Sequence, residues 1–229
     1  MKKIDIDLDK LSSEVLSSIA LEVDDYDVLY LLYEIAVQRG DNEILIGILQ
    51  NKKTETKETV KLIEQYARHE YEITDLDNVM TNKEDNNNFK FYGLKKEKLQ
   101  ENYTVVRYDD DLKDYIATNP YASVDTLVDM LVWGELTPLL NMSLPNETLN
   151  AFIVSSSSLD LIRNNPLIIS TLINSLSYKL SDESLQYLAK VPFESDTYDT
   201  NLKAYEAMER RKAFRLGLPT VKQKVIETS

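Results

Sequence analysis

The chain has 229 residues, enough for one large domain or two small ones, and its 43% hydrophobic and 28% charged residues allow a packed core. Its formal net charge of −13 disfavours general binding to nucleic-acid phosphates. The absence of cysteine excludes disulfides, thiolate nucleophiles and cysteine-ligated metal sites, and five glycines with six prolines are too few for a turn-punctuated β-sandwich or a glycine-rich phosphate loop.

The opening MKKIDIDLDK lacks the apolar stretch of a signal peptide. The longest apolar runs, such as VLYLLYEIAV (28–37), are too short and interrupted to span a bilayer. An intracellular, cytoplasmic protein without a membrane role is therefore expected. The alternating carboxylates of residues 5–10 suggest a calcium loop. That pattern needs glycine at its sixth position and glutamate at its twelfth, where this chain has Lys10 and Leu16. A solvated acidic segment is expected there instead.

Helices are predicted over 12–23, 25–40, 41–51 and 57–73, giving a cluster of αα-hairpins across residues 1–76. Asp24, Asp25 and Asp27 suit a helix start, and Gly40 suits a helix stop. Tyr26, Tyr30 and Tyr33 recur at spacings of four and three, on one face of the second helix. Tyrosine buries area at little entropic cost and keeps a polar handle, so this face is a candidate partner-binding surface; the alternative is a core edge with hydroxyls reaching water. His69, the single histidine, has no second histidine for a metal site or a nucleophile relay and is expected as an ordinary helix residue.

Residues 77–110 form the predicted boundary. NKEDNNNFKF (82–91) is polar, whereas FKFYG and YTVVRY are aromatic and β-branched, so a linker or small β-containing insertion with a hairpin near 89–108 is expected. Asp109, Asp110, Asp111 and Asp114 then crowd into RYDDDLKD. They suit a helix start; the competing reading is a divalent-metal site.

Residues 111–192 carry an echo. NPYASVDTL (119–127), NMSLPNETL (141–149) and NNPLIISTL (164–172) each place an asparagine eight residues before a leucine. SYKLSDESL (177–185) and LDKLSSEVL (8–16) vary the theme. A small polar residue or Asn-Pro is expected to end one segment and cap the next helix, after which an apolar residue returns every three or four positions. Short helices of this kind cannot stand alone in water and must stack. Trp133 is expected in that core, with an interface anchor as the alternative. This cadence, over about residues 110–192, resembles variant leucine-rich repeats and other short-helix solenoids of the HEAT type. The resemblance implies an irregular helical-repeat array that binds proteins or nucleic acid; the acidic body departs from the nucleic-acid binders. The fold class expected is all-α.

The last region, 193–229, holds a predicted helix over 201–217. From Lys203 on there are seven basic and three acidic residues, against 19 and 36 before it. The body is thus acidic and the tail basic. Arg210, Arg211, Phe214 and Arg215 make this a short basic amphipathic helix, suited to an acidic groove of a partner or of the chain itself; the alternative is a solvated helix end. No catalytic set, cofactor motif or metal-ligand pattern is present. The expected function is therefore a non-enzymatic protein-binding module: an adaptor, assembly factor or structural subunit. Low Gly and Ala with much Asn, Lys, Ile and Tyr suits an AT-rich genome, such as many bacteriophages have, and hence a phage assembly or host-interaction factor acting in the virion or host cytoplasm. The alternatives are an acidic inhibitor that mimics nucleic acid, and a metal enzyme at Asp109–Asp114.

Overall fold

The computed structural model describes residues 8–73, 103–193 and 197–216. Among them are eleven α-helices and one two-stranded antiparallel sheet, an all-α fold with a small β element. The described residues up to Ser143 belong to one compact unit, and those from Leu144 onward to a second.

In the first unit, α1 (Ser13–Glu22), α2 (Tyr26–Arg39), α3 (Asn42–Gln50) and α4 (Lys57–Ala67) follow the predicted apolar periodicity. Asp25 starts α2, its carboxylate accepting from the N–H groups of Asp27 at 2.9 Å and Val28 at 3.2 Å. Gly40 stops α2 with φ at 62°, a left-handed conformation that costs glycine nothing. Asp41 N–H then donates back to the Ala36 carbonyl at 2.9 Å. Leu29, Leu32, Ile35 and Ala36 of α2 and Ile44, Leu45, Ile48 and Leu49 of α3 are buried. Each of these leucines and isoleucines contributes about 1.5–3 kcal/mol on leaving water.

The predicted helix over 57–73 ends early. α4 stops at Ala67, and Arg68–Ile73 forms β1, which pairs with β2 (Tyr103–Tyr108) in the register Arg68 opposite Tyr108 and Ile73 opposite Tyr103. RHEYEI has weak helical periodicity, and the β-branched, aromatic YTVVRY supplies a ladder of partners that local sequence cannot reveal. His69 is thus an exposed strand residue, not a helical one. The expected hairpin keeps YTVVRY as a strand but pairs it with 68–73; FKFYG lies outside the described residues, as do most of 77–110 and the first carboxylates of DIDLDK.

Beyond β2 come α5 (Lys113–Thr118), α6 (Val124–Val132) and a 3-10 turn, Thr137–Leu140. These pack with the N-terminal helices. α1, α3, α5 and the turn lie side by side in that order, with α2 against α3 and α4. The predicted separation of 1–76 from 111–192 therefore differs from the observed grouping, because α5 and α6 complete the core that α1–α4 begin.

Three buried asparagines tie this row together. Asn51, just past α3, donates to the carbonyls of Ala20 at 2.8 Å and Val23 at 2.6 Å, at the end of α1. Asn119, just past α5, donates to Leu49 at 2.6 Å, at the end of α3. Asn141, just past the turn, donates to Ala117 at 2.7 Å and Asn119 at 2.8 Å. Each side-chain oxygen accepts from the N–H two residues on, from Lys53, Tyr121 and Ser143 respectively. Helix ends leave carbonyls without partners, and these amides satisfy them for the neighbour in the row. The Asn-Pro pair at 119–120 was expected to cap the next helix. That role falls to Ser123, whose hydroxyl accepts from Thr126 N–H at 3.2 Å.

The second unit holds α7 (Asn146–Val154), α8 (Leu159–Arg163), α9 (Pro166–Leu176), α10 (Asp182–Leu188) and α11 (Thr200–Arg215). Ser181 repeats the Ser123 cap, accepting from Ser184 N–H at 3.0 Å. Leu144 and Leu180, and likewise Leu149 and Leu185, are buried at matching positions of the two echoed segments. Asn150 links them, donating to the Lys179 carbonyl at 2.9 Å and accepting from Ser181 N–H at 2.6 Å. The third sequence anchor does not follow: Asn164 is exposed and ends α8, and it is Pro166 that opens α9. No described helix is long and apolar enough to cross a membrane.

Candidate interaction surfaces

α2 buries the side bearing Leu29 and Leu32, which turns Tyr26 and Tyr30 outward. Ring centroids lie 6.2 Å apart for Tyr26 and Tyr30 and 6.3 Å for Tyr30 and Tyr33, both pairs tilted. That spacing is attractive for aromatic rings and holds the three as one strip. Tyr33 is half-buried, and burial pushes its hydroxyl pKa up. Tyr30 is raised chiefly because its hydroxyl donates to Glu34, next by that carboxylate's charge. The strip is partly core edge and partly open surface.

α11 is fixed by both ends and one face. Thr200, Ala204 and Ala207 are buried, small enough to bring the helix close to α9 and α10. Asn201 donates to the Leu188 carbonyl at 2.7 Å and the Val191 carbonyl at 2.9 Å, and Lys203 donates to Ser170 Oγ at 2.7 Å. Arg211 and Arg215 both turn back to Asp182, at 3.0 and 2.7 Å, and Arg211 also donates to the Ser177 carbonyl. The two guanidinium groups, Arg215 foremost, hold the Asp182 carboxyl below the usual range. Two of the four residues singled out on this helix therefore meet an acidic residue of the chain itself.

The other two face solvent. Phe214 is 82% exposed, and Arg210 is exposed with no ion-pair partner among the described residues. Together with Tyr178, 64% exposed, they line a groove of about 350 Å³ beside the Asp182 clamp. Leu216, just past the helix, is also exposed. A single exposed aromatic is ordinary; two exposed aromatics lining the same groove are the mark of an interaction surface. Tyr178 was not singled out by sequence; it sits in the 3-10 turn Ser177–Lys179, and only the packing of α11 brings it beside Phe214.

The four aspartates of RYDDDLKD go to separate partners. Asp109 accepts from Asp111 N–H at 2.9 Å, and its carbonyl from Lys113 N–H. Asp110 pairs with Lys113 at 2.9 Å, and that pairing lowers its pKa. Asp111 meets Asn42 at 3.4 Å, and Asp114 accepts from Thr137 at 3.1 Å. Among the described residues no group of three or more histidine or carboxylate side chains is arranged to hold a metal ion. Trp133 is half-buried at the end of α6, with the Arg107 guanidinium 5.8 Å from its ring centroid, rather than in the core.

One polar cluster left no trace in the sequence. Glu64 of α4 is buried and accepts from Ser123 N–H at 2.7 Å. It borders a pocket of about 380 Å³ shared with Arg68, Tyr108 and Asp129. Burial pushes up the carboxyl pKa of both Glu64 and Asp129 and the hydroxyl pKa of Tyr108. These residues come from four elements, so no local spacing announces them. A carboxyl whose folded pKa is raised favours the folded state most below its unfolded pKa and loses that contribution as pH rises through the folded value. Glu64→Gln keeps an oxygen for Ser123 N–H and removes the charge. Urea midpoints of this variant are expected to fall less than wild type between about pH 4.5 and neutrality. Glu64→Ala leaves the N–H unpaired and is expected to cost about 1–3 kcal/mol, the loss being largest at the acid end of this range, where the wild-type carboxyl is neutral.

No family model matches the chain, and neither the curated proteins nor the solved structures contain a significant match. The functional reading rests on its own residues.

Proposed function

We propose that the chain is a non-enzymatic helical binding protein, an adaptor, assembly factor or structural subunit that acts in the cytoplasm and docks another protein on α11. The observation that carries this is the groove where Phe214 and Tyr178 stand open beside Arg210. Aromatic and arginine anchors of this kind dominate binding energies at protein interfaces. The Tyr26–Tyr30–Tyr33 strip is a second aromatic surface of the same character. The acidic body with a basic terminal helix favours a partner whose contact surface is apolar with an acidic rim.

The test is capture of a partner from the source cell with the full chain as bait. Arg210→Ala combined with Phe214→Ala removes the two anchors that α11 supplies and leaves Tyr178 and the Asp182 clamp intact. Capture is expected to fall at least about tenfold, the loss that follows from roughly 1.4 kcal/mol. Capture unchanged by the double substitution removes α11 as the docking element. Binding that survives only at low salt, indifferent to these residues, transfers the reading to an acidic mimic, whose attraction is screened by ions.

A further inference from the structure

The first described helix offers a surface opposite in character to the α11 groove. Along one side of α1, Val15, Ile19 and Val23 line an open groove of about 670 Å³ that also includes Glu14 and Glu22. Val15 is 45% exposed. The two glutamates are eight residues apart, so about 12 Å separates them along the axis. The apolar strip thus lies between two carboxylates. On α11 the projecting Phe214 stands among Arg210, Arg211 and Arg215, with Asp182 offsetting part of that charge. One surface is apolar with an acidic border, and the other is aromatic with a basic border.

We propose that these two surfaces bind each other between copies, with α11 of one copy seated on the α1 groove of the next. This rests on the reading of α11 as a docking element and names its occupant as a second copy of this chain. Charge selects the pairing. Two α1 surfaces brought together would oppose carboxylate to carboxylate, and two α11 surfaces guanidinium to guanidinium. Only the unlike pair brings opposite charges around an apolar centre. Such a contact is heterologous, so a pair of copies keeps one free surface of each kind, at opposite ends, and can add a further copy.

The experiment measures mass in solution by light scattering over about 1–200 µM, a range that spans ordinary micromolar affinities. The wild-type chain, of 26.4 kDa, is expected to grow with concentration past a dimer and to shrink as salt is raised. Val15→Glu spoils only the α1 groove, and Phe214→Glu only the α11 surface. Each alone is expected to remain monomeric. Mixed in equal amounts they retain one intact pair of surfaces and are expected to stop at twice the chain mass. A wild-type chain that stays monomeric throughout overturns the proposal, as does growth that persists in either variant or a mixture that stays monomeric. The docking role of α11 is separable from this. A foreign protein held by wild type and by Val15→Glu, and lost only with Phe214→Glu, leaves that role standing while a monomeric wild type removes self-assembly.

Discussion

Asn51→Ala is expected to destabilise the first unit by about 3–4 kcal/mol, read as a shift in urea midpoint at unchanged slope. The substitution removes two donated bonds, to Ala20 and Val23, and one accepted from Lys53. Three bonds contribute about 1 kcal/mol each net, and the buried Ala20 carbonyl left without its side-chain donor adds to the loss. Asn51→Asp is a sharper probe. It keeps the acceptor for Lys53 N–H but sets a carboxylate against two carbonyl oxygens. It should cost at least as much at neutral pH and recover part of the loss in acid, where the protonated form regains a donor. Asn42→Ala is the control, since its one contact is long and exposed, and it should change stability by less than about 0.5 kcal/mol. A loss below about 1 kcal/mol for Asn51→Ala would mean that the bonds between successive helix ends do not hold the row together.

Gly47→Ala sets two physical effects against each other. Glycine inside a helix costs about 1 kcal/mol relative to alanine, so α3 by itself would gain from the change. A Cβ at position 47, however, would stand 2.7 Å from the Ser17 carbonyl oxygen and 3.0 Å from its Cα. Those are backbone atoms of α1, so relief requires moving the helix rather than a side chain. Packed interiors resist this, and overpacking typically costs about 1–3 kcal/mol. Net destabilisation of about 1–2 kcal/mol is expected, with Gly47→Leu considerably worse. Thermal melts decide by sign: a stabilised Gly47→Ala would show that α1 yields easily. Because Asn51 bonds the end of the same helix, the Gly47 and Asn51 substitutions should be non-additive, while Glu64→Ala combined with either should add.

The same two positions show how far the sequence could be read. The helix over 41–51 was legible from its apolar spacing, and so was Gly40 as its predecessor's stop. The role of Gly47 was not legible, because nothing in NEILIGILQ says which helix will lie across it. Asn119 and Asn141 stood out through their fixed distance from a leucine and were read as ending one segment and capping the next helix; each does end a segment, but neither caps the helix that follows. Their amides serve the helix ends that come before, a bond made across the row and not along the chain. Asn51 does the same work and escaped notice, since no leucine stands eight residues after it. Asn164 kept the spacing and lost the role.

For the surfaces, the outline of the basic helix was legible and its use was not. The spacing of Arg211 and Arg215 marked a basic face. That both reach Asp182, on a helix one loop earlier, depends on how α11 packs against α10. Tyr178 and Phe214 are separated by most of two elements and meet only in three dimensions. Glu64, Tyr108 and Asp129 likewise form a cluster only because α4, β2 and α6 converge.

The sequence by itself determined that the protein is helical, where the first three helices and the last begin and end, and that no disulfide or thiolate chemistry is available to it. Those properties follow from local forces: apolar periodicity, capping residues and side-chain inventory, all carried by neighbours within a turn or two. The tertiary structure decided that 68–73 is a strand, that α5 and α6 join the N-terminal core, which carbonyls the asparagines satisfy, and which arginines remain open. Those are settled by partners distant in the chain, whose hydrogen bonds and buried area outweigh local preference.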